Sequence, residues 1–392
     1  VKPKQKKLNI MKPIYLDYAA TTPVDPAVFE AMKPYLEIDF GNPSSAHQFG
    51  QKALDAVDNA RRKVAKLIGA TPEEIVFTSG GTESDNTAIK SAWFTQKKRG
   101  SHIITSAFEH HGVLAPCHFL ESLGAEITLL PVGPSGIIDP DDVRKAITDH
   151  TVLISIMHAN NEIGTIQPLH EIGVLARQHE ILFHTDAVQT AGHVELDVND
   201  FHLDFLSLSA HKLYGPKGVG ALYVRNGVPF EPLLHGGGHE KGRRSSTHNV
   251  AGIVGLGCAS AIARTGLRRE IDVGRLRNLL WKRMRDAVPE IFLNGSMDHR
   301  LPNNINVSIA HVEGESLLMN LDMEGIAVST GSACSTDSGR ISHVLEALGL
   351  TPEMARGSLR ITLGKFTSRE EIDTVSEILP KIVERLRSMA AY

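Results

Sequence analysis

ILFHTDAVQTAGHVELDVNDFHLDFLSLSAHKLYGPKG, residues 181–218, contains two apolar runs that each break off into polar residues. ILFHTDA (181–187) ends around Asp186, and DFLSLSA (204–210) delivers Ser209, His211 and Lys212. Runs that are apolar almost throughout suit strands covered on both faces. Working outward, the same kind of run recurs in EIVFTS (74–79), HIITS (102–106), EITLLPV (126–132), VLISIMHA (152–159) and VGALYVR (219–225). Helical windows at 82–97, 109–122 and 168–179 separate many of them. Alternating strands and helices predict an α/β fold with a mostly parallel seven-stranded sheet flanked by helices. In such sheets ligands bind at the carboxyl ends of the strands.

The pattern changes after the glycine-rich segment LHGGGHEKGRRSSTHN (234–249). A long charged helix is expected over roughly 262–288, then short strands in NINVSIA, AVSTGSA and SLRITLG, then an amphipathic helix over 369–388. This reads as a smaller α+β domain. The expected division is 21–261 for the large domain, with 1–20 and 262–392 forming the small one.

Composition removes several classes of function. A net charge of −4 gives no reason to expect a nucleic-acid binder. No apolar run looks long enough for a membrane span, and VKPKQKK lacks the apolar stretch of a secretory signal. Cys117, Cys258 and Cys334 are far apart in sequence, which disfavours a disulfide framework and points to a reducing, cytoplasmic setting. The 19 histidines form no H-E-x-x-H, so no resident metal is expected.

The strand ends carry the chemistry. Gly80, Gly81 and Thr82 lie between a strand and a helix, where free backbone N–H groups, a hydroxyl and the positive end of the helix dipole suit a phosphate. A carboxylate such as Asp186 keeps a pyridine nitrogen protonated, so that the ring draws electrons. A lysine such as Lys212 offers an amine for a Schiff base. Together these requirements describe a site for pyridoxal 5′-phosphate (PLP).

Over nearly its whole length from about residue 13, the chain resembles the NifS/IscS-type cysteine desulfurases of the class V aminotransferase family, with PLP fold type I. The resemblance rests on YLDYAATTPVD, FGNPSSAH, EIVFTSGGTESDN, HANNEIGTIQP, FHTDAVQTAG, SAHKLYGPKGVGALY, HGGGHEKGRRSST and STGSACST. It implies that Lys212 is the Schiff-base lysine and Asp186 the partner of the pyridinium nitrogen. His110 corresponds to the histidine stacked on the ring and proposed as an acid/base, although a histidine at a helix start can also simply cap it. Thr82, Ser209 and His211 correspond to phosphate ligands beside the Gly81 N–H. Thr247 corresponds to a ligand reaching in from the second subunit of a homodimer. Asn161 and Gln189 correspond to contacts with the cofactor 3′-oxygen and the substrate, and Arg360 to the clamp on the substrate carboxylate.

Cys334 narrows the reaction. Its setting, STGSACSTDSG, has no large apolar residue and suits an exposed, mobile loop. Cys117 and Cys258 sit in apolar helical windows and read as buried. The resemblance makes Cys334 the nucleophile that takes sulfur from L-cysteine as a persulfide, leaving L-alanine. It then passes the sulfur to an iron–sulfur scaffold or another acceptor, or into tRNA thiolation, and could ligate a cluster during transfer. The alternatives are a selenocysteine lyase-type enzyme and a non-catalytic scaffold. Two departures from the family stand out. Ser246 replaces the usual glycine before Thr247, where a β-carbon restricts positive φ. Gly339-Arg340-Ile341-Ser342-His343 replaces the usual motif after the cysteine loop.

Overall fold

A computed structural model describes residues 13–330 and 341–390. The chain first forms β1 (Ile14–Tyr15), α1 (Pro26–Glu37), α2 (Gln48–Leu67), β2 (Ile75–Thr78), α3 (Gly81–Gln96), β3 (His102–Ser106), α4 (His111–Glu121) and β4 (Glu126–Leu130). There follow α5 (Pro140–Ala146), β5 (Thr151–Ser155), α6 (Leu169–Gln178), β6 (Leu182–Asp186), β7 (Phe205–Ser209), β8 (Gly220–Val224) and α7 (Val250–Ala287). The remainder is β9 (Ile291–Leu293), β10 (Asn304–Ile309), α8 (Gly314–Met323), β11 (Ile326–Ala327), α9 (His343–Ala347), α10 (Pro352–Arg356), β12 (Ser358–Thr362) and α11 (Arg369–Ala390).

All seven expected runs join one sheet, in the order β2-β8-β7-β6-β5-β3-β4. Only β8 runs against its neighbours. β2, β3, β5, β7 and β8 are buried at every residue, as the unbroken apolar runs require. Edge strand β4 is partly exposed. Asp186 pairs in register with Ser207, while Gly220 sits opposite both Ser209 and Thr78. The carboxyl ends of β2, β6 and β7 are thereby brought to one edge. A β-carbon at Gly220 would stand 2.7 Å from Gly80 Cα, so glycine permits this close approach.

The smaller sheet, β12-β10-β9, is antiparallel, and β1 pairs with β11. A separate apolar core under it includes Leu280, Met284, Ile305, Leu359 and Leu379. Val344, Leu345, Leu348 and Ala355, by contrast, pack into the core of the large sheet.

Three sequence expectations change. α7 begins at Val250 rather than near 262, and so runs straight through the expected division at 261/262. Its first half, VAGIVGLGCASAIA, has no charge pattern and several glycines, which hid it. Those glycines serve packing: a β-carbon at Gly257 would stand 2.6 Å from Ala60 Cα of α2. The same half makes α7 long and apolar enough, by composition alone, to cross a bilayer. In the fold it packs against α1 and α2. Cys258 is half-buried rather than buried, whereas Cys117 is buried, with its thiol pushed up to about 12 by burial. Finally, among the described residues of AVSTGSA only Ala327 lies in a strand, the two-residue β11.

Candidate active site

Four loops meet at the carboxyl edge of the large sheet. After β2, Gly80 adopts φ 155° and ψ −175°, a conformation open essentially to glycine alone, and α3 starts at Gly81 without a side-chain cap. Its first N–H groups are therefore available to an anion. A β-carbon on Gly81 would meet Val188 Cγ2 at 2.8 Å, which ties this turn closely to the loop after β6. Thr82, the second residue of α3, is exposed. Ser209 closes β7, with its Oγ 3.7 Å from where a β-carbon of Gly80 would lie.

Asp186 is buried, and Oδ1 accepts a hydrogen bond from Val188 N at 2.8 Å. Burial raises its pKa, while His110 and Lys212 pull it back down. His110 is the N-cap of α4, its Nδ1 accepting from Gly112 N at 2.9 Å. Burial lowers its pKa, with Asp186 opposing and Lys212 and His111 adding to the shift. Capping and facing the acid are thus both true of His110. His111 is exposed and packs its ring on His343 instead.

Lys212 ends a short 3₁₀ turn after β7. Its Nζ donates to Ala19 O at 2.5 Å and Ala20 O at 2.8 Å. Those carbonyls belong to YLDYAATT, a stretch to which sequence reasoning gave no role. It crosses the site as a strap. Gln189 Nε2 donates to Ala19 O at 3.0 Å, His211 Nδ1 pairs with Thr21 Oγ1 at 3.1 Å, and Thr22 Oγ1 donates to His211 O at 2.9 Å. Burial, with Lys212 and Lys217 nearby, pushes His211 down to about 4.

Arg360 of β12 reaches the same edge from the smaller sheet. It is buried, with Nη1 on Asn161 O at 3.1 Å and Nη2 on Asp17 Oδ1 at 2.9 Å. Its Nε has no hydrogen-bond partner among the described residues. Thr247 is exposed, on a segment anchored by Arg244 to Glu83 at 2.8 Å. Ser246 before it has φ 110°, so the serine sits in the region that favours glycine. Cys334 lies outside the described residues.

The arrangement offers free N–H groups and hydroxyls at one end, a buried carboxylate at the other, and an amine and imidazole between them. Residues 14–375 match the family described as Aminotransferase class-V. A cysteine desulfurase IscS of Dictyoglomus turgidum is 53% identical over 380 residues, covering 97% of this chain and 96% of that protein. The chain belongs to the class-V aminotransferases, among the cysteine desulfurases. An IscS cysteine desulfurase of Methanosarcina thermophila is 51% identical over 386 residues, with 97% and 94% covered. Among solved structures, a NifS-like protein superposes with a TM-score of 0.90 at 38% identity, covering 95% of this chain and all of that one. SspA in complex with cysteine gives 0.81 at 41% identity, with 91% and 100% covered. The enzymes of this family depend on PLP, and the fold is the PLP type I fold. The uncapped start of α3 and the buried carboxylate of Asp186 fit a phosphate and a ring nitrogen respectively.

Sequence reasoning missed the strap residues Asp17 and Ala19–Thr22. It also missed a layer of buried ionisable groups behind Asp186, formed by Asp85, Glu109 and His184. The motifs containing them were visible, but no spacing rule marked them.

Proposed function

We propose that the chain converts L-cysteine to L-alanine and carries the released sulfur on Cys334 as a persulfide, for delivery to iron–sulfur cluster assembly or tRNA thiolation. The observation that carries this reading is the convergence of Lys212, Asp186 and His110 at the edge that Arg360 also reaches. Gly81, Thr82, Ser209 and His211 would hold the phosphate of PLP, Asp186 its ring nitrogen, and Asn161 and Gln189 the region of its 3′-oxygen. When bound, PLP supplies an electrophilic carbon for the substrate amine and a ring that accepts the electron pair left by the α-proton.

Each remaining step belongs to the chain. Arg360 orients the substrate carboxylate by a paired guanidinium contact. Lys212 Nζ takes the α-proton, and Asp186 keeps the ring nitrogen protonated. The Cys334 thiolate attacks the substrate sulfur, so that an S–S bond forms as the Cβ–S bond breaks. Cβ gains a proton, carried by His110, Lys212 Nζ returns its proton to Cα, and alanine leaves.

Thr247 is assigned to the partner's phosphate in a homodimer. Its exposure supports this, as do the exposed apolar side chains Phe29, Leu36, Ile38, Phe40 and Phe49, of which Phe40 and Phe49 pack ring to ring. A large domain (21–261) and a small one (1–20 and 262–392) are proposed; the two separate sheets support the division, while α7 crosses it and α9 and α10 pack into the large core. A reducing cytoplasm suits a working thiol.

The test is L-cysteine turnover with alanine and protein persulfide both measured. Wild type yields both. If Cys334→Ala still passes sulfur to an acceptor, Cys334 is not the nucleophile.

A further inference from the structure

Behind Asp186 lies a second carboxyl group with no part in the roles above. Asp85 is on α3 and only 1% exposed. One oxygen of Asp85, one of Asp186 and a ring nitrogen of His110 all lie within 4.8 Å of one another. A β-carbon at Gly112 would fall 2.6 Å from Asp85 Oδ2 and 3.0 Å from His110 Nδ1, so a glycine after the histidine pair keeps this cluster closed. Asp85 Oδ1 has no hydrogen-bond partner among the described residues and stands 3.6 Å from His184 Nε2. His184 lies two residues before Asp186 on β6, so both side chains share one face. Its Nδ1 pairs with Ser155 Oγ at 2.8 Å and its Nε2 with Ser207 Oγ at 3.0 Å.

Two buried carboxylates this close cannot both carry charge. The surroundings decide which one does. Asp186 faces His110 and Lys212, which favour its charged form. Asp85 faces Asp186 and Glu109, both acidic, with only the Ser207 hydroxyl to help it. His184 gives no countercharge, because burial pushes it down to about 3. Burial and Asp186 together drive Asp85 far above the usual carboxylate range.

We infer that Asp85 is a positioning residue, a buried neutral acid that takes the proton of the Asp85–Asp186 pair and so leaves Asp186 ionised for the pyridine nitrogen. This rests on the assignment of Asp186 to that nitrogen. Asp85 acts on the cofactor only through Asp186. It supplies a polar wall where a second charge would be destructive.

The experiment is difference infrared spectroscopy of the PLP-loaded enzyme at neutral pH, with the pH titration of the cofactor's visible band read in parallel. Asp85→Asn is expected to remove one protonated-carboxyl C=O band, distinct from the band removed by Glu109→Gln. Because asparagine preserves a neutral dipole, the titration midpoint should move by less than about 0.5 unit. A band that survives Asp85→Asn, or a midpoint shift above about 1 unit, overturns the inference, since a lost charge at this range would shift it that far. If the variant does not fold, carboxyl-¹³C aspartate labelling of the wild type answers the same question. A shifted protonated-acid band supports the inference, and its absence overturns it. If Asp186→Asn leaves the cofactor spectrum untouched, the Asp186 assignment fails instead.

Discussion

Arg360 Nη2 stands 2.9 Å from Asp17 Oδ1, joining the smaller sheet to the strap that passes over Lys212. The guanidinium assigned to the substrate carboxylate already holds a carboxylate of the chain itself. Substrate therefore competes with Asp17, or shares the arginine through the unpaired Nε. Arg360→Lys should raise KM for L-cysteine about 10- to 100-fold, with kcat less affected, because an ammonium cannot serve both acids in a planar pair. Asp17→Asn should cost about 1–3 kcal/mol of stability. It should also enlarge the rise in Tm produced by L-alanine, which thermal scans with and without the amino acid will show.

Lys212→Ala should leave a folded protein whose desulfurase rate falls by about 10²- to 10⁴-fold or more. The visible absorbance of the purified enzyme should change with it. Retained turnover would remove Lys212 from the mechanism.

Ser246→Gly should stabilise the protein by about 1 kcal/mol, since φ 110° is strained for serine and free for glycine. A higher denaturant midpoint at unchanged m-value is the expected sign. A lower midpoint would mean that the serine hydroxyl matters more than its backbone.

Glu240 is buried among Arg61, held at 2.7 Å through both oxygens, His248 Nε2 at 2.7 Å and Phe77 N at 2.9 Å. These contacts outweigh burial and hold its carboxyl down at about 2, against an ordinary value of 4.5. A depressed acid contributes stability above its unfolded value and loses it as pH falls toward the folded one. Glu240→Gln should therefore cost about 3–5 kcal/mol at neutral pH. The gap from wild type should close between about pH 4.5 and 2, as urea titrations at several pH values will report.

Glu109 behaves in the opposite sense. Burial raises it to about 8, although Met157 N and Ser106 Oγ donate to it. The native state then holds a proton that the unfolded chain has released, so stability falls as pH rises from about 4.5 to 8. Glu109→Gln should flatten the stability profile over that window by about one proton. An unchanged slope would place the proton elsewhere.

The large sheet was legible because burial on both faces keeps its strands mainly apolar, with buried polar residues such as His184 and Ser207 too few to hide the runs. The chemistry at its edge was legible because Asp186, Ser209 and Lys212 interrupt those runs abruptly. The strap was less so, since Ala19 and Ala20 act through carbonyl oxygens that every residue possesses. Asp85 and His184 sit in the right motifs, but their meaning depends on α3 crossing behind β6, a tertiary fact without local periodicity. The start of α7 was hidden because glycine and alanine at a helix contact resemble a loop until the partner helix is in place.

That helix also has a mechanical consequence. At 1.5 Å per residue its 38 residues extend about 57 Å. Ile253, Leu256 and Ala259 are set in the core of the large sheet, and Val273, Leu280 and Met284 in that of the smaller. One continuous helix thus joins the sheet that leads into the Lys212 turn to the sheet bearing Arg360. Heat that melts one core pulls the shared rod from the other, so both should be lost in a single cooperative transition.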